Sequence, residues 1–232
     1  MIPSQSSAST AIRLIPVVEL EAISFATEDG RQIGLGGDWN SFWLRSSDNP
    51  TTTRLFPMKP GWNLVTIDQL KDPRVLEILV RMLAADREDD SAPGNTQPVL
   101  GPDNFCPLSG GFALCIGDEV IITPQCCSDL SDIESWRTAA VYRDAHKVMV
   151  WIGHPWVMVR FDGVNLIFAG DDGLVLKPLP ECAVEPDALS VAVTQAWREL
   201  EALADRLLPV VERFVPQERA RETARRLAGI VP

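Results

Sequence analysis

The adjacent cysteines Cys126 and Cys127 are the residues of this sequence whose type and spacing first suggest chemistry. They lie in the stretch IITPQCCSDL, after a run of β-branched residues and before an expected helix. A thiolate can attack a substrate or bind a soft metal ion, and a histidine can support either role. The chain has two histidines, and His154 begins an expected strand that could meet the cysteines in space. Cys126, Cys127 and His154 therefore form a candidate site.

The spacing of these residues is not that of a structural zinc site. Zinc takes about four ligands, and pairs of cysteines usually reach one ion through a C-x-x-C spacing. Adjacent cysteines do this poorly, and a set of Cys126, Cys127 and His154 would still need a fourth ligand. We therefore predict no metal ligand and no cofactor, and we expect that zinc is not required for folding.

A nucleophilic pair of Cys126 with His154 is an alternative, but Asp129 is the one nearby acid that could orient the imidazole. Free cysteines are also among the most buried residues, so a packing role is a further alternative. We expect both thiols to be free, because a disulfide between neighbours is strained and a reducing compartment disfavours it. No catalytic residue is predicted.

The two side chains should point in different directions if the pair ends a strand and starts a helix. One cysteine is then expected to pack inward near Trp136, and the other to face the GHPW segment of residues 153–156. Replacing the inward cysteine by serine should cost about 1–3 kcal/mol, because it buries a hydroxyl that lacks a partner.

The elements around the cysteines follow from local patterns. The stretch GGFALCIGDEVIITP predicts a β-hairpin that turns at Gly117-Asp118. Ser128 or Asp129 is expected to cap a helix whose inward residues recur every three positions. The segments VMVWIG, WVMVRF and VNLIF predict an antiparallel meander, with a two-residue turn at Asp162-Gly163 between the last two. In the helix that Ser128 or Asp129 is expected to cap, the inward residues are Leu130, Ile133 and Trp136.

Helices are predicted in two other regions. Apolar residues between Asp68 and Leu83 recur at three and four positions, with Pro73 in the first turn. An apolar stripe runs from Asp187 to Phe214, where Pro209 should kink or stop the helix, and a short helix follows Pro216. Since no βαβ alternation occurs, we predict an α+β fold: a mainly antiparallel sheet with a C-terminal helical segment packed on it.

Three regions are expected along the chain. Residues 1–86 form an N-terminal strand-rich region with one helix, beginning with extended structure over residues 12–25. Residues 87–104 combine acidic residues with prolines and glycines and predict a linker or surface loop. Residues 105–232 form an α+β region with C-terminal helices, and one continuous domain is the alternative.

Composition narrows the classes of partner. The chain has 21 Lys plus Arg against 32 Asp plus Glu, a net charge of −11, which disfavours binding to nucleic acid and favours a basic partner. No apolar run approaches a membrane span, and the five cysteines follow no disulfide framework. We therefore expect a cytoplasmic protein with reduced thiols and no membrane partner. Neither a P-loop, a dinucleotide fingerprint nor an H-E-x-x-H motif is present in the sequence.

The stretch ITPQCCSDL, followed by Trp136 and then WIGHPW, resembles a bacterial family with Pro-x-Cys-Cys and Gly-His-Pro-Trp type segments. Proteins of this kind look like the small acidic immunity proteins that neutralise polymorphic toxins. The resemblance spans about residues 121–172 and implies a binding protein whose partner is a basic toxin domain. A thiol- or metal-dependent enzyme using Cys126, Cys127 and His154 and a structural or adaptor module are the alternatives. The residues predicted to bind a ligand or partner are Cys126, Cys127, Asp129, Trp136, His154 and Trp156.

Overall fold

The computed structural model of this chain describes residues 11–20, 58, 64–88, 105–170 and 181–230. In these ranges the chain forms two four-stranded antiparallel sheets and four α-helices. In chain order the elements are β1 (Ile12–Glu19), β2 (Leu64–Thr66), α1 (Pro73–Glu88), β3 (Gly110–Ile116), β4 (Glu119–Ile122), α2 (Ile133–Ala140), β5 (Val148–Val150), β6 (Val157–Phe161), β7 (Leu166–Gly170), β8 (Cys182–Val184), α3 (Pro186–Val211) and α4 (Gln217–Leu227).

The first sheet has the strand order β2-β1-β3-β4. Its two central strands pair along their length, from Ile12 opposite Ile116 to Val18 opposite Gly110. Strand β3 is apolar and almost wholly buried, as a strand covered on both faces must be. The predicted hairpin is confirmed, because Gly117 and Asp118 connect β3 to β4. The sheet thus joins strands from before and after the expected linker, of which residues 89–104 lie outside the described residues.

The second sheet is the predicted meander, with the strand order β5-β6-β7-β8. The turn between β6 and β7 is longer than the two residues expected, since residues 162–165 separate Phe161 from its partner Leu166. The Asp162 carboxylate accepts hydrogen bonds from the backbone N–H groups of Val164 (2.8 Å) and Asn165 (2.7 Å). Asp162 is therefore the first residue of this turn, which its carboxylate stabilises, and not one of the two central residues.

The helix after the cysteine pair also agrees with prediction. Asp129 caps a short 3-10 helix, Leu130–Asp132, which continues directly into α2. The Asp129 carboxylate accepts a hydrogen bond from the backbone N–H of Ser131 at 2.7 Å. The three residues predicted to face inward, Leu130, Ile133 and Trp136, are fully buried.

The long C-terminal helix α3 packs on the first sheet. Helix α3 contacts β1, and it also contacts α1, α2 and α4. The helix continues through Pro209 and ends two residues later at Val211, so the proline lies inside its last turn. Together with the two antiparallel sheets, this packing confirms the predicted α+β fold. Among the helices of the described ranges, none combines the length and apolar composition that crossing a bilayer requires.

One hydrophobic cluster joins side chains from both sheets and from all four helices named above. Trp136 of α2 occupies its middle and packs on Phe168 of β7, with ring centroids 5.7 Å apart. The first sheet and the meander are thus covered by a shared core.

The half-buried Asp132 carboxyl near the start of α2 should make stability depend on pH. Burial, opposed by a hydrogen bond from Ser128, raises its pKa from 3.8 to about 6. Between these two pH values the native state binds a proton that the unfolded chain does not. The contribution of Asp132 to stability is therefore fully present at low pH and is lost as pH rises through 6. We expect the free energy of unfolding of the wild type, relative to Asp132→Asn, to fall by about 1 kcal/mol from pH 4 to pH 7, after allowance for solvent screening. Urea unfolding of both proteins measures this difference, and a constant difference would contradict the prediction.

Candidate functional site

A pair of backbone hydrogen bonds brings the cysteine segment beside the GHPW segment. The Gln125 N–H donates to the carbonyl oxygen of Ile152 at 2.6 Å, and the His154 N–H donates to that of Cys126 at 2.9 Å. Cys126 and His154 thereby form an isolated antiparallel bridge, which we call the Cys126–His154 bridge. It connects the chain leaving the first sheet to the loop between β5 and β6, the first hairpin of the meander.

Glycine is required at position 153 for this bridge to form. Gly153 has a φ of +93°, and a Cβ built there would lie 2.3 Å from the carbonyl oxygen of Cys126 and 2.6 Å from that of Gln125. Both obstacles are backbone atoms, which cannot rotate away as a side chain can. The close approach of the two segments therefore depends on the absence of a side chain.

The backbone of Cys127 explains how adjacent cysteines face the same side. Neighbouring side chains of an extended chain point in opposite directions. Cys127 instead has a φ of 66°, in the left-handed region that residues with a Cβ rarely adopt. As a result, the Sγ atoms of both cysteines and a ring nitrogen of His154 all lie within 4.8 Å of one another, and all three residues are exposed.

The expectation that one cysteine packs inward near Trp136 is wrong, since Cys126 and Cys127 are both exposed. The left-handed turn at Cys127 keeps both on the surface, so the expected cost of burying a serine hydroxyl no longer applies. Both thiols are free, as predicted. The Cys126 thiol donates a hydrogen bond to the His154 carbonyl oxygen at 3.2 Å. The pKa of Cys127 is raised, chiefly by the charge of neighbouring Cys126, so the two thiols resist ionising together.

Two indole rings flank His154. The ring centroids of Trp151 and His154 lie 4.7 Å apart in an edge-to-face arrangement, and those of His154 and Trp156 lie 5.6 Å apart. The indoles themselves stack at 6.4 Å. Trp156 was predicted as a site residue, whereas Trp151 was missed. The two tryptophans that begin and end the stretch WIGHPW, on either side of His154, are the signal that could have identified it.

The apolar surface continues from these indoles onto the outer face of the meander. Met149 of β5 lies directly opposite Met158 of β6, while the flanking Val150 and Val157 face the core. Trp151 and Trp156 lie one residue beyond the ends of these strands, where continued alternation of the chain would put them on the same outer side as the methionines. Met149 is 53% exposed. We call the set of Met149, Trp151, Trp156 and Met158 the Trp–Met face.

The other two predicted site residues, Asp129 and Trp136, stabilise the fold. The Asp129 carboxylate is engaged at the start of the 3-10 helix, where it accepts hydrogen bonds from the N–H and hydroxyl of Ser131. Trp136 is fully buried, which removes it from contact with a partner at the surface. Four of the six predicted residues, Cys126, Cys127, His154 and Trp156, therefore come together in one exposed site.

Comparison of the chain with protein-family models, curated proteins and solved structures finds no match.

Gly153→Ala tests whether the close backbone approach holds the site together. We expect it to lower the free energy of unfolding by about 2–4 kcal/mol, because strain at positive φ adds to a clash with backbone oxygens. Gly163→Ala is the matched control, since Gly163 has a φ of +101° but no atom lies within 4 Å of its built Cβ. It should cost only about 1 kcal/mol. Equal losses in chemical unfolding would show that the bridge does not have the geometry described here.

Proposed function

We propose that this protein is a cytoplasmic binding protein of the immunity type, which neutralises a toxin by protein–protein contact. The observation that supports this proposal most directly is that the exposed residues Cys126, Cys127 and His154 converge next to Trp156, which belongs to the Trp–Met face. The sequence predicts these residues as partner contacts, and Cys126 and His154 come from segments 28 positions apart.

The chemistry of this surface suits a protein partner. Tryptophan is enriched among the residues that contribute most to protein interfaces, since a large rigid ring buries much area at little entropic cost. Methionine adapts its shape to an irregular partner. Trp151 and Trp156 are held in place by stacking and remain half-exposed, so little ordering would be needed on binding.

Charge favours a basic partner. The net charge of −11 attracts a cationic domain over distances of about a Debye length and speeds its association. It repels nucleic acid, with which this protein would compete for binding to a nuclease-like toxin. In this proposal charge brings the partner to the protein, and the apolar Trp–Met face supplies most of the binding energy.

A thiol- or metal-dependent enzyme is the second candidate, supported by the distance of at most 4.8 Å between the thiols and the imidazole. A nucleophilic pair also needs a group that orients its base. Asp129, the acid considered for this role, instead binds Ser131. The clustered donors in the described part of the chain include no carboxylate, so binding is better supported than acyl transfer.

Co-expression with a toxin encoded beside this gene would test the proposal. The wild type should bind the toxin and restore growth, whereas Trp156→Ala should weaken binding at least ~10-fold, as expected for a central aromatic contact. Trp197→Ala is the matched control, because this half-buried indole lies on α3 and contacts Arg137 and Glu201. Circular dichroism establishes that both variants are folded. Gene surroundings without a toxin, or full protection by Trp156→Ala, would contradict the proposal.

A further inference from the structure

The donor atoms of Cys126, Cys127 and His154 are spaced for a single metal ion. In a tetrahedral zinc site with Zn–S bonds of about 2.3 Å, ligand atoms lie about 3.7 Å from one another. The two Sγ atoms and the nearest ring nitrogen are already within 4.8 Å. These distances exceed those of a bound zinc site by at most about 1 Å. No other group of three potential ligands of this kind occurs in the described ranges.

Backbone contacts bring these donors together. The Cys126–His154 bridge fixes the distance between the two segments, and its hydrogen bond of 2.9 Å joins the backbones of two ligand residues. The left-handed backbone at Cys127 turns the second thiol to the side of the first. An unfavourable backbone conformation that keeps reactive side chains together is typical of a ligand-binding position.

The imidazole is also restrained. The edge-to-face contact with Trp151 and the contact with Trp156 limit the rotation of the His154 ring. A ligand whose orientation is set beforehand loses less entropy when the ion binds. The arrangement therefore offers three prepositioned donors at one point of the surface.

Although the spacing of the cysteines predicts no metal ligand, we propose from this geometry that Cys126, Cys127 and His154 form an exchangeable site for one Zn²⁺ ion, with three protein ligands and an open coordination position. Two thiolates and a neutral imidazole are ligands that zinc prefers, and their two negative charges balance the charge of the ion. The two thiol protons pass to solvent when the ion binds. Ligation of Zn²⁺ also relieves the repulsion between adjacent thiolates.

Exposure of the ligands makes this site different from a structural zinc centre. All three ligand residues lie at the surface, and the buried core packs without them. Zinc should therefore bind and leave without unfolding the protein. The fourth position is open to water or to a group supplied by another molecule, as in catalytic zinc sites. Zinc binding by these three residues does not depend on a toxin partner.

Titration of the reduced, metal-free, full-length protein with zinc chloride, followed by calorimetry, would test the site. We expect one ion per chain, with affinity lowered at least ~10-fold by Cys126→Ser, Cys127→Ser or His154→Ala. The chain provides matched controls in Cys106→Ser and His146→Ala, which change an exposed cysteine and the other histidine outside the cluster. Both should bind zinc like the wild type.

Removal of the ion by a chelator should leave the circular dichroism spectrum unchanged. The melting temperature should fall only by the amount that follows from losing a ligand bound to the native state. Absence of zinc binding, binding that the control variants weaken equally, or affinity that survives His154→Ala would overturn the three-residue site. Unfolding of the protein on chelation would overturn its exchangeable character. Melting curves of the metal-free variants identify any loss of affinity that comes from misfolding.

Discussion

The Cys126–His154 bridge is the constraint on which the candidate site depends. Two backbone hydrogen bonds, of 2.6 and 2.9 Å, hold the chain after β4 against the chain between β5 and β6. Each segment supplies one part of the site: the thiols come from the first segment, and the imidazole and indoles come from the second. Moving the segments apart by the width of one side chain would separate the thiols from His154 while leaving both sheets intact.

Two unusual backbone positions make this contact compatible with the fold. Gly153 leaves room for the carbonyl oxygens of Gln125 and Cys126, and Cys127 adopts a positive φ despite its Cβ. The unfavourable free energy of the positive φ at Cys127 is offset by stable structure next to it. Asp129 caps the following helix, and Trp136 anchors α2 in the core. Stability supplied by ordinary packing thus supports an unfavourable local geometry at the surface.

Much of the fold could be predicted from the sequence because its signals are local. The Gly117-Asp118 turn, the Asp129 cap and the inward spacing of Leu130 and Trp136 each depend on residues within one or two turns of chain. The site could be predicted only in part. The left-handed backbone at Cys127 has no signal in the neighbouring residues, so strand and helix patterns place the two thiols on opposite sides. The contact of Cys126 with His154 joins residues 28 positions apart, which local patterns do not predict. Trp151 joins the site through the same contact.

Hydrogen exchange at the Gln125 and His154 amides tests the bridge most directly, because these two N–H groups form it. Their acceptors are the carbonyl oxygens of Ile152 and Cys126. In an NMR exchange experiment on the wild type we predict that both amides exchange at least ~100-fold more slowly than an unprotected amide of the same sequence, although His154 itself is exposed. Exchange of the two amides at the unprotected rate, in a protein whose β3 and β6 amides remain protected, would contradict the account.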